Sequence, residues 1–173
     1  MNTHDYKALK QGLSFGIISS TMTVLGLVIT MWSSGGKVPI LIASILGLSI
    51  SNSFADGFSI YIANSATKDN KIALTSALVT GSIEFILPII FTIPLIFLPL
   101  KTGIYINILL GFILVSSMGY YISILDKLTI EKTIEKILIY IVVLMAILLS
   151  TMYSGKYMPV LQAYVTKLNK YYT

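Results

Sequence analysis

Residues 102–125 read TGIYINILLGFILVSSMGYYISIL, a run without a single charged side chain. As a helix rising 1.5 Å per residue, such a run crosses the roughly 30 Å of bilayer hydrocarbon, for which ~20 residues suffice. Comparable runs lie on both sides of it. Residues 11–36 and 137–155 carry no charge, 38–67 carry only Asp56, and 72–100 carry only Glu84. The pattern predicts an all-α integral membrane protein with five transmembrane helices, near 11–33, 38–66, 72–98, 104–125 and 132–154. The abundant isoleucines would favour strands in water, but strands of a membrane barrel are ~9 to 11 residues long and alternate polar with apolar. No such alternation runs through this chain.

Composition agrees with this reading. Hydrophobic residues make up 55% and charged residues 11%, with a mean hydropathy of +0.86; soluble domains carry roughly 25% charged residues. The polar punctuation falls where turns are needed: Ser33-Ser34-Gly35-Gly36, Thr67-Lys68-Asp69-Asn70-Lys71, Pro99-Leu100-Lys101-Thr102-Gly103, and the charged stretch Asp126 to Lys136. Residues 1–10 read as a polar N-terminal arm, 11–156 as the five-helix domain, and 157–173 as an amphipathic or partly ordered tail at the interface. The first apolar run is longer than a ~7- to 15-residue signal core, so it is expected to persist in the mature protein.

Several function classes drop out. Cysteine is absent and His4 is the single histidine, which excludes thiolate sites and histidine-built zinc sites within one chain. The net charge of +5 comes from scattered lysines with no arginine, a pattern that suits lipid headgroups and not nucleic acid. No nucleophile-base pair, phosphate loop or metal triad stands outside the apolar runs, so an enzyme is not expected. Lysine placement puts the N-terminus in the cytoplasm with Lys7, Lys10, Lys68, Lys71, Lys127, Lys132 and Lys136. The C-terminus then lies across the membrane, which would be the plasma membrane in a prokaryote.

The second run carries the strongest local signal. Gly47, Ser51, Ala55, Ser59 and Ala63 recur every fourth residue, a strip of small side chains that lets another helix approach closely. Beside it run Asn52, Asp56, Ile60 and Asn64. This polar stripe is either interhelical glue or part of an ion or proton path, which intramembrane acids usually mark. Glu84, the other intramembrane acid, lies four residues before Pro88, whose missing N–H frees the Glu84 carbonyl. Carbonyl and carboxylate oxygens suit a hard cation; the alternative is a kinked helix with a hydrogen-bonded acid. Two carboxylates in one cavity repel when both are ionised, a coupling that proton-for-metal exchange would use. The expected metal site is therefore Asp56, Glu84, Asn52 and Asn64. Scattered methionines such as Met22 and Met118 read as packing residues. Small residues of the first run, Gly16, Ser20 and Gly26, are the expected seam of a homodimer.

Several short motifs resemble the vacuolar iron transporter family, which includes nodulin-21-like proteins. Gly12-Leu13-Ser14-Phe15-Gly16-Ile17-Ile18-Ser19-Ser20 resembles its opening glycine motif, and Ala55-Asp56-Gly57-Phe58-Ser59-Ile60-Tyr61-Ile62-Ala63-Asn64-Ser65 its most characteristic motif. Thr80-Gly81 followed by Pro88 resembles the start of its third helix, and with Gly111 and Tyr153-Ser154-Gly155 the likeness covers roughly residues 10–156. The resemblance implies a five-helix protomer that dimerises through its first helix and exports ferrous or manganous ions from the cytosol against protons. No tightly bound cofactor is implied. Three positions depart from the family pattern: Phe15 replaces an aspartate, Ile60 a methionine, and Asn64 a glutamate. The cytoplasmic metal-binding domain between the second and third helices is reduced to residues 67–71. The alternative function is a non-transporting membrane scaffold or accessory protein that keeps the fold without its metal ligands.

Overall fold

The structure, a computed structural model, describes residues 3–66 and 70–172. Thr67, Lys68 and Asp69 of the expected second turn lie outside the described residues, as do the side chains of His4, Lys7 and Lys170. The chain forms α1 (Thr3–Ser33), α2 (Val38–Ser65), α3 (Asn70–Phe97), α4 (Leu100–Leu125) and α5 (Ile130–Tyr172). All five are long and apolar enough to cross a membrane.

The helices arise where the apolar runs predict them because hydrocarbon offers the backbone no hydrogen-bond partners of its own. Their ends are set by local chemistry. Pro39 stands in the first turn of α2, where its missing N–H costs no helical hydrogen bond. Pro99 caps α4 in an extended conformation. Both outer boundaries run further than charge alone indicates. The polar arm is helical from Thr3, and the tail continues α5 without a break through Pro159. A helix of 43 residues is about 65 Å long, twice the hydrocarbon thickness, so α5 extends well beyond the bundle. From Lys156 to Lys167 every residue is exposed. The tail is a projecting rod, not a separate helix folded back along the interface.

α1 is the central helix and touches each of the other four. Val24, Leu25 and Val28 are fully buried at its middle, against Phe91 of α3, Ile104 and Val115 of α4, and Leu144 of α5. Its glycines permit this. A Cβ on Gly12 would sit 2.8 Å from both the Ser76 carbonyl oxygen and Val79 Cβ, so α1 and α3 touch at backbone distance. Gly81 does the same for α3 and α2, where a Cβ would meet the Ser53 carbonyl oxygen at 2.9 Å.

This packing corrects the expected dimer seam. Gly16 lies against Ile83 and the Thr80 carbonyl, Ser20 is fully buried, and Gly26 faces Thr151 and Ile147 of α5. The small face of α1 is consumed within the protomer. On α2 a small strip remains outward: Gly47, Ser51, Ala55, Ser59 and Ala63 are all exposed, and nothing lies within 4 Å of a Cβ placed on Gly47.

α3 contains Pro88 and Pro94. Each proline loosens the helix one turn upstream, and each loosened turn takes a side-chain donor from a neighbour. Ser49 Oγ of α2 donates to the Phe85 carbonyl at 2.6 Å, and Asn107 Nδ2 of α4 donates to the Phe91 carbonyl at 2.9 Å. Both accepting residues stand three positions before a proline.

At the end of the bundle where α1 and α5 begin and α4 finishes, Lys10 and Lys136 both pair with Asp126, the latter at 3.3 Å. The hydrogen bond from Lys10 holds the Asp126 carboxyl below the usual aspartate range, with Lys136 adding to the effect. The turn itself passes through Lys127 at φ 52°.

Candidate functional site

The two intramembrane acids converge because antiparallel helices aim their side chains at one another. Ser49 lies beside Phe85 and Ser53 beside Gly81, a register that sets Asp56 level with Leu78, six residues from Glu84. That offset is about 9 Å along the helix axes. Side chains on a helix lean toward its N-terminus. Asp56 therefore leans toward the level of Glu84, and Glu84 toward that of Asp56, which closes the gap.

α1 supplies the third wall. It runs parallel to α3, with Gly12 beside Val79 and Gly16 beside Ile83, so Ser19 and Ser20 arrive at the height of Glu84. Ser19 Oγ donates to Asp56 Oδ2 at 3.1 Å. Glu84 is fully buried, and neither of its carboxylate oxygens has a partner in hydrogen-bonding geometry. Ser19, Asp56 and Ser20 are the polar side chains that lie near it. Asp56 and Ser19 are only half-buried, so the cluster is reached from the side where α1 and α2 part. A cleft of about 430 Å³ between α1, α2 and α5, lined by Met22, Thr23, Gly26 and Leu48, begins one turn beyond Ser19.

The cluster lies near the middle of its helices: Glu84 in Asn70–Phe97, and Ser19 in the spanning part of α1, Ala8–Ser33. Among the described residues no lysine stands at that height, since Lys10 and Lys71 belong to the helix ends. Compensation for carboxylate charge must therefore come from a proton or a bound cation.

The other two expected ligands are placed differently. Asn52 is half-buried, one turn from Asp56 toward the level of Glu84. Asn64 is buried, but two turns from Asp56 in the other direction, about 12 Å along the axis. Sharing a face is not sharing a height, and Asn64 does not join the carboxylates. Buried Ile60 separates them. Phe15 is 40% exposed and turned away from the core. Among the described residues, no group of three or more His, Cys, Asp or Glu gathers to hold a metal.

The two serines are the members that residue type alone did not single out. Their signal is the adjacent hydroxyl pair on an otherwise apolar helix. A larger recess of about 590 Å³ lies on the outer flank of α2 and α3, bounded by Phe54, Phe58 and Phe85. It is apolar and contains neither acid.

Compared with protein-family models, curated proteins and solved structures, the chain matches none.

Proposed function

We propose that this protein is a non-transporting membrane scaffold or accessory subunit that associates with a helix of a membrane partner. The supporting observation is the outward strip of small residues on α2, Gly47 to Ala63. In lipid, a face without bulky side chains gains by close van der Waals packing against a second helix. The protomer leaves this five-residue strip open, longer than the outward small stripe of α5 formed by Ala146, Ser150 and Ser154. The set of ionisable groups fits the same reading, because the positions where the resembled family has aspartate, methionine and glutamate hold Phe15, Ile60 and Asn64. The test is association in native-like membranes. Single cysteines at Ser51 and Ser59 should crosslink to a neighbouring helix, and Gly47→Leu should abolish the crosslink while the protomer stays folded. Absence of any crosslink from this face would reject the proposal.

The second reading is a proton-coupled exchanger of divalent cations such as ferrous or manganous ions. It is favoured by the convergence of Asp56, Ser19 and Glu84 near mid-membrane, the depth at which many transporters place their ion sites. Metal arrival would displace a proton from the pair, and protonation would release the metal. Flux into proteoliposomes that disappears in Asp56→Asn and Glu84→Gln would establish it.

A further inference from the structure

Hydroxyls on membrane helices normally satisfy themselves on the carbonyl one turn back, and much of this chain follows the habit. Ser14 donates to the Lys10 carbonyl at 2.6 Å, Thr23 to that of Ser19 at 2.7 Å, and Ser76 to that of Ile72 at 2.8 Å. Ser49 and Thr80 instead donate to carbonyls of neighbouring helices, and Ser19 and Ser20 break the habit without turning to a carbonyl. Ser19 Oγ donates a hydrogen bond to Asp56, and Ser20 Oγ is fully buried and makes no hydrogen bond. Thr21 Oγ1 is also unpartnered, but Thr21 packs toward Gly111 of α4, on a different side of α1. Two neighbouring hydroxyls have thus left their helix to face two carboxylates, one of which, Glu84, is itself wholly buried and unpartnered.

We propose that Ser19, Ser20, Asp56 and Glu84 bind one small hard cation, of the alkali or alkaline-earth type, that links α1 to α2 and α3. The donor set is oxygen only. It offers carboxylate oxygens from two helices and hydroxyl oxygens from a third, the ligand chemistry that sodium, magnesium, calcium and manganous ions share. The bound ion supplies the positive charge that no lysine brings to this height, and it gives the orphaned oxygens of Glu84 and Ser20 a partner. Ser19 hydrogen-bonds across the helices to Asp56, whereas Ser20 makes no hydrogen bond, and a bound ion would draw on the oxygens of both. Binding does not depend on whether the ion is carried across the membrane, so the inference is compatible with the scaffold reading and deepens the exchanger reading, whose ion would occupy the same residues.

The experiment is thermal unfolding of the full chain, purified in detergent near neutral pH in choline chloride. Sodium, magnesium, calcium and manganous chlorides are titrated separately, since an ion that binds only the folded state raises the melting temperature saturably. A shift with sodium alone identifies an alkali site, and a shift with magnesium or calcium identifies an alkaline-earth site; either supports the proposal, whereas a shift with manganous ion alone would overturn it in favour of a transition-metal site. Ser19→Ala and Ser20→Ala should each weaken the apparent affinity by about tenfold or more, in the range that groups around metal sites contribute. Ser20→Thr, which keeps the hydroxyl, should restore it, and Thr21→Ala should leave it unchanged. No shift with any ion in the parent would overturn the proposal, because a proton then serves the acids alone. A shift lost in Glu84→Gln but undiminished in both serine variants would also overturn it, while leaving the exchanger reading intact.

Discussion

Asn107 of α4, fully buried, donates from Nδ2 to the Phe91 carbonyl of α3 at 2.9 Å, at the turn that Pro94 loosens. Replacing it by leucine leaves a buried carbonyl without a donor at a place where lipid supplies none. A loss of about 1–3 kcal/mol is expected from the unsatisfied acceptor, read as a lowered midpoint of unfolding in detergent. Ser49→Ala, which removes the donor to Phe85, should act in the same direction.

Gly12 and Gly47 separate internal packing from the open face. Gly12→Leu drives a side chain into the Ser76 carbonyl and Val79. Overpacking of about 1–3 kcal/mol or more is expected, with loss of folded protein by size-exclusion chromatography. Gly47→Leu meets nothing in the protomer and should leave its melting temperature within about 0.5 kcal/mol of the parent in stability terms.

Asp126 ties the starts of α1 and α5 to the end of α4 through Lys10 and Lys136. Its carboxyl is held below the ordinary value in the folded protein, so this contribution is fully present above the unfolded aspartate value of about 3.9. It is lost as the pH falls further through the depressed folded value. The pair is largely exposed, and such pairs are worth under about 1 kcal/mol. Asp126→Asn should therefore lower the melting temperature slightly at neutral pH and by less as the acid limit is approached. An unchanged difference across that range would remove the clasp from the account.

The lysine placement leads to the expectation of a cytoplasmic N-terminus. Single cysteines at Lys37 and Lys101 should react with an impermeant reagent added outside, and cysteines at Lys71 and Lys127 only after the membrane is opened. Labelling of all four from one side would overturn the orientation.

The five helices were legible because segment length in hydrocarbon overrides the strand propensity of isoleucine, and the observed bounds of α2, α3 and α4 lie close to those the charges mark. The ends of α1 and α5 were not legible. Charged residues stop a membrane span but do not stop a helix, so Thr3–Lys10 and the stretch after Gly155 continue as helix into the polar phase. Nor does a sequence say which of two small faces is spent internally: Gly16 and Gly47 have similar neighbours in the chain, yet only one has Ile83 against it. For the site, Asp56 and Glu84 stood out as the acids in the apolar runs. Their meeting depended on the register of α2 against α3, and the contribution of Ser19 and Ser20 on the register of α1, neither of which periodicity along one helix contains.

The central claim, that the protein holds partners and does not carry ions, is tested most directly by ion flux. The purified parent is placed in liposomes under an imposed pH gradient and assayed with ferrous and manganous ions. The account predicts flux no greater than that of empty liposomes, from protein whose α2 face still crosslinks to its neighbour. Flux in the parent that is lost in both Asp56→Asn and Glu84→Gln, with those variants folded, would contradict it and establish the exchanger.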